Sequence, residues 1–362
     1  MTNFGFIGLG LIGGSIAKAI KKNIQDAKII VYDINKESME KALSDKVADK
    51  ITDKIGSDFS VCDFIFLCAP VSINIENISI LKPFLNQDII LTDIGSVKSN
   101  IHKAIESEGL EDIFIGGHPM AGTERIGYIN SKETILENAY YVITKTSKTS
   151  DEKLAKYHDF VKKIGAIPIV VDPDEHDYIV GAISHLPHVI SASLVNLIKE
   201  KDNDECLMKM LAAGGFKDIT RISSSSPIMW QQICKSNSKN IVKLLDSYIT
   251  SLCEIRDGIM LENEDLIYSF FKNARTYRES FIESSSGPIK RIYTAYIDIV
   301  DKPGAIASIA TLLSDNNINI KNIGITHNRE SIGGNIRIEF DNESDRQMAK
   351  TLLVQHKFSI TN

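Results

Sequence analysis

Hydrophobic positions along this chain change their period twice. At first they gather into short apolar runs, at Asn3–Ile7, Lys28–Tyr32, Phe64–Cys68, Ile89–Thr92, Tyr140–Thr144 and Ile167–Val171. Runs of this kind suit strands covered on both faces, and helical spacing (Ile16, Ala17, Ile20) follows the first of them. The alternation predicts an α/β region with a parallel sheet of about seven strands. It ends near Asp172-Pro173.

From Asp174 the spacing is helical. Ile241, Leu244, Leu245, Tyr248, Ile249, Leu252, Ile255 and Ile259 make one long apolar face, and Leu266, Phe270, Phe271, Ala274, Tyr277 and Phe281 make another. Faces this wide are expected to be buried against a second subunit, which predicts a homodimer. Ser284 to Pro288 reads as a linker. Beyond it, Tyr293–Val300 alternates like a strand, Asp301–Gly304 turns, Ile306–Leu313 has helical spacing and Ile318–Thr326 is a strand. After a break at Ser331–Gly334 come a strand at Asn335–Phe340, a helix at Ser344–Gln355 and a last short strand. That order, in about 70 residues, predicts a ferredoxin-like sandwich. The expected division is 1–172, 173–283, a linker at 284–292, and 293–362.

Composition narrows the function classes. With 362 residues, 43% hydrophobic and 24% charged, the chain can bury a sizeable core. A net charge of -6 and a pI near 5.8 argue against general binding to nucleic acid or an anionic membrane, so any anionic ligand needs local cations. Cys62, Cys68, Cys206, Cys234 and Cys253 form no Cys-x-x-Cys pair and read as reduced core thiols of a cytoplasmic protein. No signal-type segment or membrane-length apolar run is evident.

The chemistry begins at Gly8-Leu9-Gly10-Leu11-Ile12-Gly13, between the first strand and its helix. Here Gly8 permits the tight turn, Gly10 lets a pyrophosphate approach the backbone, and Gly13 lets helix and strand pack closely. The helix N-terminus offers free N–H groups to the phosphates. Asp33, ending the second strand, is placed to accept the adenosine ribose hydroxyls, which favours NAD over NADP, although Lys36 lies near. Ala69-Pro70 and Asp93 to Lys98 follow further strand ends and so face the cofactor side. Gly116-Gly117-His118-Pro119 holds an imidazole on a short stiffened loop, as a working base requires. His185 and His188 invite a metal reading, but no third ligand has suitable spacing, so a pocket role for His185 is preferred. Gly214 to Arg221 reads as a second glycine-rich turn delivering a cation, near the single tryptophan, Trp230. Such an arginine suits bidentate recognition of a carboxylate.

With these residues in place, the chain resembles the prephenate and arogenate dehydrogenase family from Phe4 to about Phe281. The likeness rests on Gly-Leu-Ile-Gly-Gly-Ser at 10 to 15, Asp93 to Lys98, His-Pro-Met-Ala-Gly-Thr-Glu at 118 to 124, Ser-His-Leu-Pro-His at 184 to 188, Gly214 to Arg221, and Pro-Ile-Met-Trp at 227 to 230. The resemblance implies a Rossmann-type parallel sheet, an all-helical dimerisation domain and NAD as cofactor, with contacts from Gly8, Gly10, Leu11, Ile12, Gly13, Asp33, Ala69 and Pro70. It implies His118 as catalytic base, oriented by Ser96, and Arg221 as the ligand of a prephenate carboxylate. It also implies that His185 and Thr123 line the pocket, that Glu124 and Asp218 gate it, and that Trp230 reaches the neighbouring subunit's site. The terminal module resembles an ACT domain, which implies an amino-acid effector, expected to be L-tyrosine, near Gly304, Asn317 and Asn319. Two rivals remain: arogenate as substrate, and a non-catalytic NAD-binding sensor. The sensor has no use for Ser96, His118 and Arg221 together.

Overall fold

In the computed structural model, residues 1–122, 125–283, 293–299, 304–326, 334–356 and 358–361 are described. They divide into two compact units, Met1–Glu262 and Asn263–Asn362.

The first unit opens with β1 (Thr2–Ile7), α1 (Leu11–Asn23), β2 (Ala27–Tyr32), α2 (Lys36–Ser44), β3 (Lys50–Ile51), β4 (Phe64–Leu67), α3 (Val71–Leu81), β5 (Ile90–Asp93) and α4 (Ser99–Glu108). Its five strands form a parallel sheet of order β3-β2-β1-β4-β5. Period-two alternation sorts side chains to the two faces. Phe4, Phe6, Phe64 and Phe66 enter one core, where Phe6 and Phe66 stack at 4.9 Å and Phe160 leans on Phe66 at 5.6 Å. Ile7, Ile65 and Leu67 enter the other with Ile101 and Ile105 of α4.

Next come β6 (Ile115–Pro119), β7 (Tyr140–Lys145), α5 (Asp151–Lys163) and β8 (Ile167–Val170), which form a second sheet of order β6-β7-β8. This departs from the single parallel sheet expected. The β6–β7 pair is antiparallel, and a bridge between Leu91 and Phe114 links the two sheets. Apolar runs mark strands but carry no information about direction, which depends on partners far along the chain.

The expected boundary at Asp172-Pro173 is a helix start. Asp172 accepts from the backbone N–H groups of Asp174 and Glu175, and Pro173 occupies the first turn of α6 (Pro173–Val180). A π-helical turn, Gly181–His185, joins α6 to α7 (Leu186–Lys201). The continuous helix Pro173–Lys201 has a mean hydropathy of 1.4 in its most apolar window, so the expectation that no apolar run reaches membrane length needs correcting. His176, Asp177, His185 and His188 interrupt the apolar run in sequence, and the first three are buried in hydrogen bonds within the protein. The unit continues through α8 (Leu207–Leu211), α9 (Gly214–Thr220), α10 (Pro227–Ser236) and α11 (Ser238–Met260). On α11, Ile241 and Ile255 are buried while Ile249 and Ile259 are 49% and 57% exposed, so part of the expected apolar face is uncovered in a single chain. Only Cys62 is buried by surface area and Cys206 is exposed, which corrects the expectation that all the cysteines are core thiols.

The second unit holds α12 (Glu264–Glu283), β9 (Tyr293–Ile299), α13 (Ala305–Asp315), β10 (Asn322–Thr326), β11 (Gly334–Phe340), α14 (Glu343–Gln355) and β12 (Ser359–Thr361). The last six run strand-helix-strand-strand-helix-strand and form an antiparallel sheet of order β10-β11-β9-β12. Ile297, Ile336, Ile338 and Phe340 meet Ile309 and Leu313 of α13 and Leu353 of α14 in its core. The expected linker at 284–292 lies outside the described residues.

Candidate functional site

At the carboxyl end of β1, Gly8 has φ +94° and sits against the Cys68 and Ala69 backbone, where a Cβ would meet atoms at 2.9 Å. A Cβ on Gly13 would lie 3.0 Å from that of Cys68, so this glycine does allow α1 to pack closely. Gly10 has open space, with nothing among the described residues within 4 Å of a notional Cβ. Beyond it α1 starts with no side-chain cap and no acidic residue in its first turn, leaving its N–H groups and partial positive charge for an anion. Asp33 accepts from Leu9 N at 2.5 Å and Asn35 N at 2.7 Å. Each oxygen keeps a lone pair for a hydroxyl. A hollow of about 670 Å³ opens beside it, bordered by Tyr32, Lys36, Met39, Asp53 and Asp58. A glycine cradle, an uncapped helix end and a carboxylate beside a hollow fit a dinucleotide.

Ala69, Pro70 and Ser96 line a second cleft, of about 590 Å³, closed on its other side by Ile228, Met229 and Gln232 of α10. Leu11 and Ile12 begin α1, both half-buried.

His118 is not on a loop. It lies in β6 with its backbone paired to Val142 of β7. Neither Gly116 nor Gly117 has positive φ, and both are needed for space. A Cβ on Gly117 would meet Tyr141 Oη at 2.7 Å and the Asp93 carbonyl oxygen at 2.8 Å, and one on Gly116 would run into Thr144. Lys98, which could have been taken for a solvated surface lysine, is wholly buried. Its ammonium donates to the Asp93 carboxylate and, at 2.8 Å, to the Gly117 carbonyl, tying the segment after β5 to the strand that carries His118. Burial lowers the Lys98 pKa, and Asp93 opposes that shift.

The His118 ring is engaged on one side. Its Nδ1 lies 2.8 Å from His176 Nε2, with the rings nearly perpendicular at 79°, and His176 Nδ1 lies 2.9 Å from Asp177 Oδ1. Burial, then His176, Lys98 and His185, hold the His118 pKa well below 6.5, so its resting form is neutral. Asp177 also accepts from the N–H groups of Lys98 and Ser99 at 2.7 and 2.8 Å, thereby capping α4. Burial pushes the Asp177 pKa up, but the hydrogen bonds from His176, Ser99 and the backbone outweigh it and hold the group ionised.

His185 ends the π-helical turn, buried, with Nδ1 3.0 Å from Asn237 Nδ2. The Asn237 amide is oriented because its Oδ1 accepts from Asn240 while its Nδ2 also donates to the Asp177 carbonyl. The His185 Nδ1 is therefore an acceptor and its Nε2 carries the proton. Burial lowers its pKa to about 4. Trp230 stacks on His188 at 3.8 Å and meets His185 edge-on at 5.9 Å. Its indole N–H is buried without a partner among the described residues.

Gly214-Gly215 begins the helix α9 and is not a turn, which corrects the expectation. Asp218 lies exposed on α9, and Arg221, also exposed, opens the 3-10 turn Arg221–Ser224, which packs against α7. Thr123 and Glu124 lie outside the described residues, as does Pro303. In the second unit, Gly304 has φ +89° and precedes α13, Asn317 has φ +57° just after it, and Asn319 is exposed. Among the described residues, no group of three or more His, Cys, Asp or Glu is placed to hold a metal.

The structure thus brings His118 together with His176 and Asp177, and His185 with Asn237 and Trp230. His176, Asp177 and Asn237 had no assigned role from the sequence. The signal available was chemical: a buried base needs a partner, and His176-Asp177 is an adjacent imidazole and carboxylate.

Comparison with known proteins agrees. Residues 16–170 match the model for the prephenate dehydrogenase nucleotide-binding domain, and residues 172–273 match that for the prephenate dehydrogenase dimerization domain. Prephenate dehydrogenase of Bacillus subtilis is 36% identical over 345 residues, 95% of this chain and 93% of the relative. Prephenate dehydrogenase of Aquifex aeolicus, solved with hydroxyphenyl propionate and NAD+, is 34% identical with a TM-score of 0.74, over 78% of this chain and 98% of that one. Synechocystis arogenate dehydrogenase is 29% identical with a TM-score of 0.70, over 77% of this chain and 100% of that one. The chain belongs to the prephenate dehydrogenase family of NAD-dependent oxidoreductases.

Proposed function

We propose that this protein catalyses the oxidative decarboxylation of prephenate to 4-hydroxyphenylpyruvate, with His118 as the base. The observation that carries this reading is the imidazole of His118, held at Nδ1 by His176 and set on the strand tied to the end of β5. Bound NAD, held by Gly8, Gly10, Leu11, Ile12, Gly13, Asp33, Ala69 and Pro70, supplies the hydride acceptor. His118 accepts the ring hydroxyl proton at Nε2, the nitrogen that His176 does not occupy. Ser96, on the cleft, orients the reacting groups, Arg221 binds a substrate carboxylate, and His185 donates to it through Nε2. Carbon dioxide then leaves as the ring becomes aromatic, so the protein's work is positioning and proton acceptance. Thr123, Glu124, Asp218 and Trp230 complete the pocket by family resemblance. Domains spanning 1–172, 173–283 and 293–362 serve cofactor binding, dimerisation and regulation. The exposed Ile249 and Ile259 of α11 support a homodimer, and a monomer by sedimentation at micromolar concentration refutes it.

The test is prephenate-dependent formation of NADH with His118→Asn alongside. Turnover should fall roughly 10²–10⁴-fold in the variant with NAD affinity unchanged, and near-normal turnover removes His118 from the chemistry. The likeness to the Synechocystis enzyme supports arogenate as a second reading. A larger specificity constant for arogenate than for prephenate would establish it.

The terminal module is proposed to be an ACT domain that binds L-tyrosine. Gly304, which adopts positive φ and whose notional Cβ meets nothing within 4 Å among the described residues, precedes an α13 N-terminus with no side-chain cap, which suits an amino-acid carboxylate. Asn317 and Asn319 lie at the other end of the helix. Tyrosine should inhibit the intact enzyme, and Asn319→Ala should weaken inhibition without changing basal turnover. Inhibition that is purely competitive with prephenate and untouched by this change would place tyrosine in the catalytic cleft.

A further inference from the structure

We infer that His176 and Asp177 are positioning residues that fix the tautomer of His118 and share the charge it acquires. This deepens the proposed function and rests on His118 as the base.

The argument runs inward from the carboxylate. Asp177 Oδ1 accepts from Lys98 N at 2.7 Å and lies 2.9 Å from His176 Nδ1, and Oδ2 accepts from Ser99 N at 2.8 Å and lies 2.5 Å from Ser99 Oγ, which Asp174 also contacts at 2.9 Å. The backbone N–H groups of Lys98 and Ser99 can only donate, one to each oxygen, and with the other contacts they hold the carboxyl pKa below its ordinary value, so it is ionised. His176 must then carry its proton on Nδ1, which leaves Nε2 of the neutral ring with a lone pair. That lone pair lies 2.8 Å from His118 Nδ1, so Nδ1 of His118 carries the proton and its Nε2 is bare. Without the chain of contacts either tautomer of His118 is open, and one of them presents N–H where a base is required.

The same contacts act after proton transfer. When the substrate hydroxyl proton arrives on His118 Nε2, the Nδ1 proton can shift to His176 Nε2. His118 is then neutral again, and the cation sits on His176 against the Asp177 anion. The other charged or titratable groups facing His118 are Lys98, after β5, which opposes a cation on it, and His185, on the π-helical turn, which is neutral with its pKa lowered to about 4. Moving the charge toward Asp177 relieves that opposition. The dyad is also rigid: Asp177 caps α4 across 79 residues of sequence, and Asn237 Nδ2 holds its carbonyl at 2.7 Å.

Because Asp177 also supports α4, His176 is the residue to change. His176→Leu should lower kcat roughly 10²–10⁴-fold, the general-base range, whose upper end is the loss of about 10⁴ when a triad histidine loses its orienting carboxylate. The Michaelis constants for prephenate and NAD should move less than about threefold, as for an interaction made chiefly in the transition state. His176→Gln, whose Oε1 can still accept from Nδ1–H, should recover most of the loss. Nitrogen-15 NMR of histidine-labelled protein should report His118 as the Nδ1–H tautomer in the unaltered chain and a mixture in the Leu variant. A Leu variant with near-normal kcat, a Gln variant no better than Leu, or an Nε2–H tautomer in the unaltered protein overturns the inference. Any of these leaves the base standing if His118→Asn is inactive, whereas an active His118→Asn removes both. Should His176→Leu fail to fold, the tautomer of the unaltered chain decides alone.

Discussion

Adding one methyl group at Gly117 tests whether the glycines before His118 serve packing or flexibility. In Gly117→Ala the new Cβ would stand 2.7 Å from Tyr141 Oη and 2.8 Å from both Tyr157 Oη and the Asp93 carbonyl oxygen. Reaching an ordinary separation of about 3.5 Å requires each to retreat by roughly 0.7 Å. The two tyrosines are buried and bonded to each other at 2.8 Å, and Tyr157 also meets Thr92 at 2.8 Å. The Asp93 oxygen belongs to the end of β5 and cannot swing away. Overpacking of this kind costs about 1–3 kcal/mol, and breaking one buried hydroxyl contact adds about 1–3 kcal/mol. A destabilisation of roughly 2–6 kcal/mol is expected, read as a lower denaturant midpoint in a circular dichroism titration. Since His118 follows directly, part of the strain should displace it, and kcat should fall about tenfold or more where a 1 Å misplacement can cost about 10². An Ala variant with an unchanged midpoint and unchanged kcat would refute close packing and restore the loop picture.

Lys98→Met leaves Asp93 buried without its cation and should destabilise the first unit by about 3–5 kcal/mol in a denaturant titration; a change below about 1 kcal/mol would mean that the pair is dispensable. A base must be deprotonated to act, so kcat/KM for prephenate should be lost as pH falls through the His118 pKa. That pKa is held well below 6.5, by burial first and then by His176, Lys98 and His185, so the midpoint of the acid limb should lie below 6.5, and a limb at or above that value contradicts the assignment. Arg221→Gln should raise the Michaelis constant for prephenate at least tenfold, roughly the value of one charge-assisted carboxylate contact; an unchanged constant moves that contact elsewhere. Thiol labelling of the native protein should reach the exposed Cys206 and spare Cys62, whose pKa burial raises to about 12. Rapid modification of Cys62 would show that the β1–β4 face opens easily.

Local features were legible in the sequence, and long-range ones were not. Gly8 to Gly13, Asp33 and the Asp172-Pro173 cap announce themselves within a few residues, because turn conformation and helix capping depend on neighbours along the chain. The order of the last six elements was legible for the same reason. By contrast, Gly116 to Pro119 has the composition of a loop, and only pairing with β7 makes it a strand. Lys98 carries no local sign of burial; its partners Asp93 and Gly117 meet it because two strands end side by side. His118 and His176 are 58 residues apart, a separation that periodicity cannot bridge.

The wide turn at Gly181–His185 sets the phase of everything that follows it. His176 and His185 lie about two and a half regular α-helical turns apart, a spacing that would put them on opposite sides of an unbroken rod. The looser winding takes back part of that rotation and lets both imidazoles join contacts that run through Asn237 and Asp177. Deleting a single residue there would swing His188 and the rest of α7 by about 100°. The segment therefore works as a gear of fixed tooth number, intolerant of changes in length.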